Sequence, residues 1–231
     1  MKKSLLLTTF AALVAFSASA AKPARTKDSA SSGRKETVRI VQEPRLGLQT
    51  CLLAPSISGP TLVGQCYKKP RRWIVLETKY ETYGTEKSRF IDQLTFTWHV
   101  LLDTKSATEN KGNDEGLAPY SYFTTATTYA NIPAGAHAAS VVLPPSYLER
   151  YGSPKAIGLE ITNKEGDMLA GGCWSEIKGI ESRKKFWENA EIMGASQANG
   201  KPMIERRQGL IDRSKSIWAL VFPNDYEATV Q

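Results

Sequence analysis

The chain has 231 residues, a formal net charge of +7, 41% hydrophobic and 23% charged residues. That balance excludes a wholly disordered chain and supplies enough apolar surface for a real core. Three cysteines without Cys-x-x-Cys spacing and only two histidines give no basis for a zinc site, so no metal or cofactor is expected.

Residues 1–20 read as a secretory signal peptide. Lys2 and Lys3 precede an apolar run from Leu5 to Phe16, and Ala18-Ser19-Ala20 ends it in small residues. The run is short for a bilayer span, and no later run is apolar enough to span one. The mature chain is therefore expected in the periplasm, at the outer-membrane surface or outside the cell. No cysteine stands at the cleavage site to take a lipid, and no long apolar helix of the pilin type follows it.

Residues 21–37 are rich in Lys, Ala, Ser and Arg without apolar periodicity, and are expected to form a disordered basic tether. The tether concentrates charge: residues 21–36 carry +3, whereas residues 37–231 carry 23 basic and 21 acidic side chains. A nearly balanced body on an exported chain argues against nucleic acid as a partner.

Residues 38–231 are read as a single domain. Val38, Ile40 and Val41 suggest a first strand, and an apolar zone follows at 46–53. Thr61 to Tyr67 is a further strand, Lys68-Lys69-Pro70-Arg71-Arg72 a turn, and Trp73 to Tyr83 a long strand whose second half alternates Glu77, Lys79 and Glu81 with Thr78, Tyr80 and Thr82. Cys51 and Cys66 are close enough in sequence to bridge adjacent strands, a loop closure of roughly 3 kcal/mol. A pairing that uses Cys173 is the alternative.

The clearest structural signal is Gln93 to Leu102. Leu94, Phe96, Trp98, Val100 and Leu102 fall on one face of an extended strand, and Thr95, Thr97, His99 and Leu101 on the other. That is the pattern of a central strand. Residues 110–116 are a loop by composition, and Tyr120–Tyr129 and Ala138–Leu143 are strands. Ser146 is placed to cap a short helix stopped by Gly152. Residues 156–161 and 168–170 form a hairpin about Asn163 to Asp167, and Gly171-Gly172 marks a bulge or close backbone approach. Residues 177–193 suit a short helix or an irregular crossing, and the apolar run 217–222 is expected to dock on the body.

Many short strands and little helix predict an all-β fold: an antiparallel, immunoglobulin-like β-sandwich with one or two short helices. Trp98 matches the core tryptophan of immunoglobulin domains, but no cysteine pair flanks it at their separation.

No catalytic motif stands out. His99 and His137 lack a nearby nucleophile, Gly-x-Ser-x-Gly is absent, and Asp103, Asp114 and Glu115 sit in a connection of solvated character. No sequence motif supplies His99 with a partner. The best binding feature is Lys68, Lys69, Arg71 and Arg72 with Trp73. Arginine forks bind carboxylate or sulfate and a ring stacks on a sugar face, so this cluster suits an acidic glycan or lipopolysaccharide. The competing reading is a solvated turn with Trp73 in the core. Arg183-Lys184-Lys185-Phe186-Trp187 repeats the composition.

The exported N-terminus, the basic tether, Gly171-Gly172-Cys173-Trp174 and the closing segment from Arg213-Ser214-Lys215-Ser216-Ile217-Trp218 to Asp225-Tyr226 resemble small secreted proteins of Akkermansia-like verrucomicrobia, linked there to type IV pilus-like gene clusters. The resemblance implies an immunoglobulin-like sandwich with an accessory role near a pilus, and transfers no functional residue. The expected function is thus a non-enzymatic exported protein that binds a protein partner or cell-envelope component. The alternatives are a carbohydrate-binding module for acidic glycans and a hydrolase of unassigned class.

Overall fold

Strand β4 (Phe90–Asp103) is the centre of the architecture. A computed structural model of the chain describes residues 37–44, 50–53, 72–83, 89–104, 117–181, 184–216, 218 and 227–228. The expected signal peptide, the expected tether up to residue 36, the expected strand at 61–67, the expected loop at 110–116 and most of the run 217–222 lie outside the described residues. No helix among the described residues is long and apolar enough to cross a membrane.

On β4 the sequence alternation holds: Leu94, Phe96, Val100 and Leu102 are fully buried and Trp98 is 1% exposed. Antiparallel neighbours flank it, β5 (Tyr120–Pro133) along nearly its whole length on one side and β7 (Ser153–Thr162) from Thr95 to Asp103 on the other. β8 (Met168–Ser175) extends the sheet beyond β7. Two short strands complete it beside β5, β9 (Ile204–Arg207) and β11 (Glu227–Ala228). The β9 pairing is parallel, a departure from the all-antiparallel expectation. It arises because the segment after β8 crosses the sheet and returns running with β5.

The second sheet is ordered β1 (Val38–Gln42), β3 (Arg72–Thr82), β6 (Gly135–Leu143) and β10 (Ile211–Asp212), with β2 (Thr50–Leu53) also on β3. In β3, Ile74, Leu76, Thr78, Tyr80 and Thr82 are buried and Glu77 and Lys79 exposed, so one face is solvated as its polar alternation requires. The sheets pack face to face. Tyr80 of β3 lies 4.9 Å, ring to ring, from Phe96 of β4, and Tyr129 of β5 donates to Asp212 of β10 at 3.0 Å. This is the expected sandwich. The described residues fall in one compact unit, Lys35–Gln231.

Beyond the central core, each sheet carries an apolar cluster on its outer face. On the second sheet Val75, Val142 and Trp218 are buried together, with Trp73 and Ile211 packed against them. On the β4 sheet the cluster comprises Leu101, Tyr122, Ala156, Cys173, Ile180, Phe186 and Ile204. Phe186 and Ile180 arrive on the irregular crossing after β8, which holds a 3-10 turn (Phe186–Glu188) and one helical turn (Ala190–Met193) capped by Asn189. The longer helix α1 (Pro145–Tyr151) begins without a side-chain cap. Ser146 sits inside its first turn; the preset φ of Pro145 starts the helix instead, and Gly152 ends it.

Candidate functional site

A cluster of polar residues converges beneath the crossing segment, on the outer face of the β4 sheet. Cross-strand register lays Thr124, His99, Gly158 and Cys173 in one row over β5, β4, β7 and β8. Gly158 leaves a gap in that row. The Trp187 indole enters it and lies parallel to the His99 imidazole, with centroids 4.2 Å apart and an interplanar angle of 7°. A Cβ on residue 158 would fall inside the Trp187 ring, so only glycine admits this stack. Phe186 meets Trp187 and Tyr122 edge to face at 5.1 Å and 6.2 Å.

His99 is bonded on both ring nitrogens. The Tyr122 hydroxyl lies 2.6 Å from Nδ1, and Glu160 Oε2 lies 3.4 Å from Nε2. Desolvation holds the Tyr122 phenol above its ordinary pKa, so it keeps its proton and donates to Nδ1. That leaves the ring hydrogen on Nε2, directed at Glu160. Lys185 closes the set with Nζ 2.5 Å from Glu160 Oε1 and 2.8 Å from Glu188 Oε1. Burial raises the pKa of Glu160, but the bonds from Lys185 and His99 outweigh it and hold the carboxyl below its usual range. Burial lowers the pKa of His99 against the opposing pull of Glu160, so the imidazole is neutral at pH 7.

This network braces one element to another. His99, Tyr122, Glu160 and Lys185 are each bonded to a neighbour, whereas Nε1 of the Trp187 indole that covers them is buried without a hydrogen-bond partner. Cys173, the thiol in the row, stands two strand spacings from His99, roughly 10 Å between backbones. That separation does not build a Cys–His pair. Sequence reading found His99 and missed Tyr122, Glu160 and Gly158, because register decides which residues share a row. Outward alternation along each strand was the available signal.

The titration has a testable sign. With the folded-state pKa of His99 below its unfolded value near 6.5, the unfolded chain takes up the proton more readily. Stability is fully present above that value and falls as pH drops through it towards the folded pKa. Denaturant unfolding at pH 8, 6.5 and 5 should show a steeper acid loss in wild type than in His99→Gln. Equal losses in the two would remove His99 from the account.

Of the sequence-predicted binding residues, Lys68, Lys69 and Arg71 lie outside the described residues, and for Arg72 only its place at the start of β3 is described. Trp73 is half-buried against the cluster containing Trp218. In the second basic run, Arg183 lies outside the described residues, Lys184 pairs with Glu181 at 2.9 Å, and Phe186 and Trp187 pack as above. Trp73 and Trp187 thus occupy opposite outer faces of the sandwich. Cys66 lies outside the described residues and Cys51 is described only by its place in β2, while Cys173 is buried on β8. Asp114 and Glu115 lie outside the described residues. His137 Nε2 donates to the Pro133 carbonyl at 2.7 Å, a local structural bond.

A family model matches residues 52–218, well over half of the chain. The chain belongs to that family. Among solved structures it is similar to a crystal structure from Akkermansia muciniphila, with 20% sequence identity, 84% of this chain and 93% of that chain covered, and a TM-score of 0.58. This likeness agrees with the Akkermansia-like resemblance drawn from the sequence, and at this identity it carries the fold. No curated protein matches the chain.

Proposed function

We propose that the protein is an exported, non-enzymatic β-sandwich that serves as an accessory or binding component at the cell envelope, in association with type IV pilus-like machinery. One observation carries the non-enzymatic part. The residues with chemical potential on the outer sheet face, His99, Tyr122, Glu160 and Lys185, are bonded to one another beneath Trp187, and Cys173 is held away from His99. Their arrangement locks the crossing segment onto the sheet. It does not present an acid, a base and a nucleophile to an open position. The resemblance to secreted verrucomicrobial proteins supports the pilus association.

Fractionation of cells with and without the pilus-like genes tests this reading. Wild-type cells should hold the protein at the outer surface, and deletion of those genes should release it to the periplasm or medium. Unchanged surface localisation after deletion would remove the pilus association.

A further inference from the structure

At one end of the sandwich, away from the His99 network, a groove of about 280 Å³ opens between the end of β3, the start of β4 and the β7–β8 turn. We infer that this groove is a binding site for a neutral saccharide.

Four of its ten lining residues are apolar or aromatic. Ile91 and Leu169 pack against the central core, while Tyr83 and Phe90 remain 40% and 55% exposed. Only four large apolar side chains are left so exposed among the described residues, and two of them line this groove. Exposed apolar residues scattered singly need no explanation, whereas rings gathered at a concavity mark a binding surface.

The rim supplies the polar half of sugar recognition. Phe90 and Asp92 share one face of β4 by period-2 alternation, which sets a ring beside a carboxylate. Gln93, Lys164 and Glu165 add donors and acceptors. A pyranose has the matching character, with an apolar C–H face for a ring and hydroxyls at its edge for carboxylate, amide and ammonium groups. Charge selects within the class. Within the lining Asp92 and Glu165 oppose Lys164, while beside Tyr83 the Glu81 carboxylate, which accepts from its hydroxyl at 2.6 Å, is offset by Arg39. An acidic sugar is repelled; a neutral one is not.

The site is also held in shape. Asn163 Oδ1 accepts from Asp167 N at 2.7 Å, Asn163 N donates to Asp167 O at 3.0 Å, and Gly166 turns the chain at φ 85°. The turn carrying Lys164 and Glu165 is therefore closed before any ligand arrives, which reduces the ordering cost of binding. The size fits as well. At about 280 Å³ it falls just short of drug-sized ligand sites, which run from about 300 Å³ upward, and so suits a ligand as small as one or two sugar rings. A specific protein interface buries on the order of 1,600 Å² and needs a much larger surface.

The experiment is an amide NMR titration of the full mature chain with lactose and with N-acetylglucosamine, using glucuronic acid and a pentalysine peptide as comparison ligands. Its outcome is independent of where the protein resides in the cell, so it stands or falls apart from the pilus association. At least one neutral sugar should shift the amides of Phe90 to Gln93 and Asn163 to Glu165. Phe90→Ala and Tyr83→Ala should each weaken that binding by about three- to tenfold, with the unfolding midpoint held. Arg71→Glu/Arg72→Glu, aimed at the separate basic cluster, should leave neutral-sugar binding unchanged. The inference is overturned if neither sugar shifts these amides, if both aromatic variants bind as wild type does, or if glucuronic acid or the peptide is preferred at this groove.

Discussion

Trp98→Ala should lower the unfolding free energy by about 3–5 kcal/mol, the range for removing a large aromatic side chain from a packed core. Trp98 is 1% exposed at the middle of β4, paired across to Thr125 of β5 and Leu159 of β7. Its indole belongs to the core shared by both sheets, which includes Tyr80 and Val141 from the second sheet. Removal leaves a cavity that two sheets tied along long ladders cannot close by local collapse. Against a typical total of about 5–15 kcal/mol, such a loss brings the chain close to unfolding. Equilibrium denaturation by urea measures it. A loss below about 1 kcal/mol would show that the two sheets do not meet at Trp98.

The second large effect belongs to Gly158→Val, for which strand propensity and packing make opposite predictions. Valine is favoured over glycine in a strand interior, so propensity alone predicts stabilisation. The Trp187 ring occupies the space of the new side chain, so packing predicts a loss of about 1–3 kcal/mol from overcrowding. Displacing the indole would also break its stack on His99 and open Tyr122, Glu160 and Lys185 to water. A double-mutant cycle separates the two effects. In a Trp187→Ala background the clash is gone, and Gly158→Val should become neutral or stabilising. The same substitution should return the acid titration of His99 towards that of a solvated imidazole. Additive effects of Gly158→Val and Trp187→Ala would rule out direct contact.

Sequence and tertiary structure divide along physical lines. Alternation along β4 was legible because side chains in a strand point to opposite faces with a period of two, whatever lies across from them. The β7–β8 hairpin was legible from local turn chemistry about Gly166. The start of α1 was misplaced because serine capping and a proline at the first helical position compete locally, and in this chain the proline wins. None of this reaches across the sheet.

By itself the sequence determined the strand-rich character, the buried face of β4 and the nearly neutral charge of the body, since each depends on residues close together in the chain. It also showed His99 on the opposite face of β4. Only the tertiary structure decided what that histidine does. Tyr122 is 23 residues away and Glu160 is 61. They meet His99 because β5 and β7 flank β4 in one particular register, and a shift of one residue would turn both to the other face. The groove at the far end has the same origin. Tyr83, Phe90 and Glu165 come from three separate turns and strand ends, and no local pattern joins them. Local periodicity set which face each side chain takes, and long-range strand pairing set its neighbours.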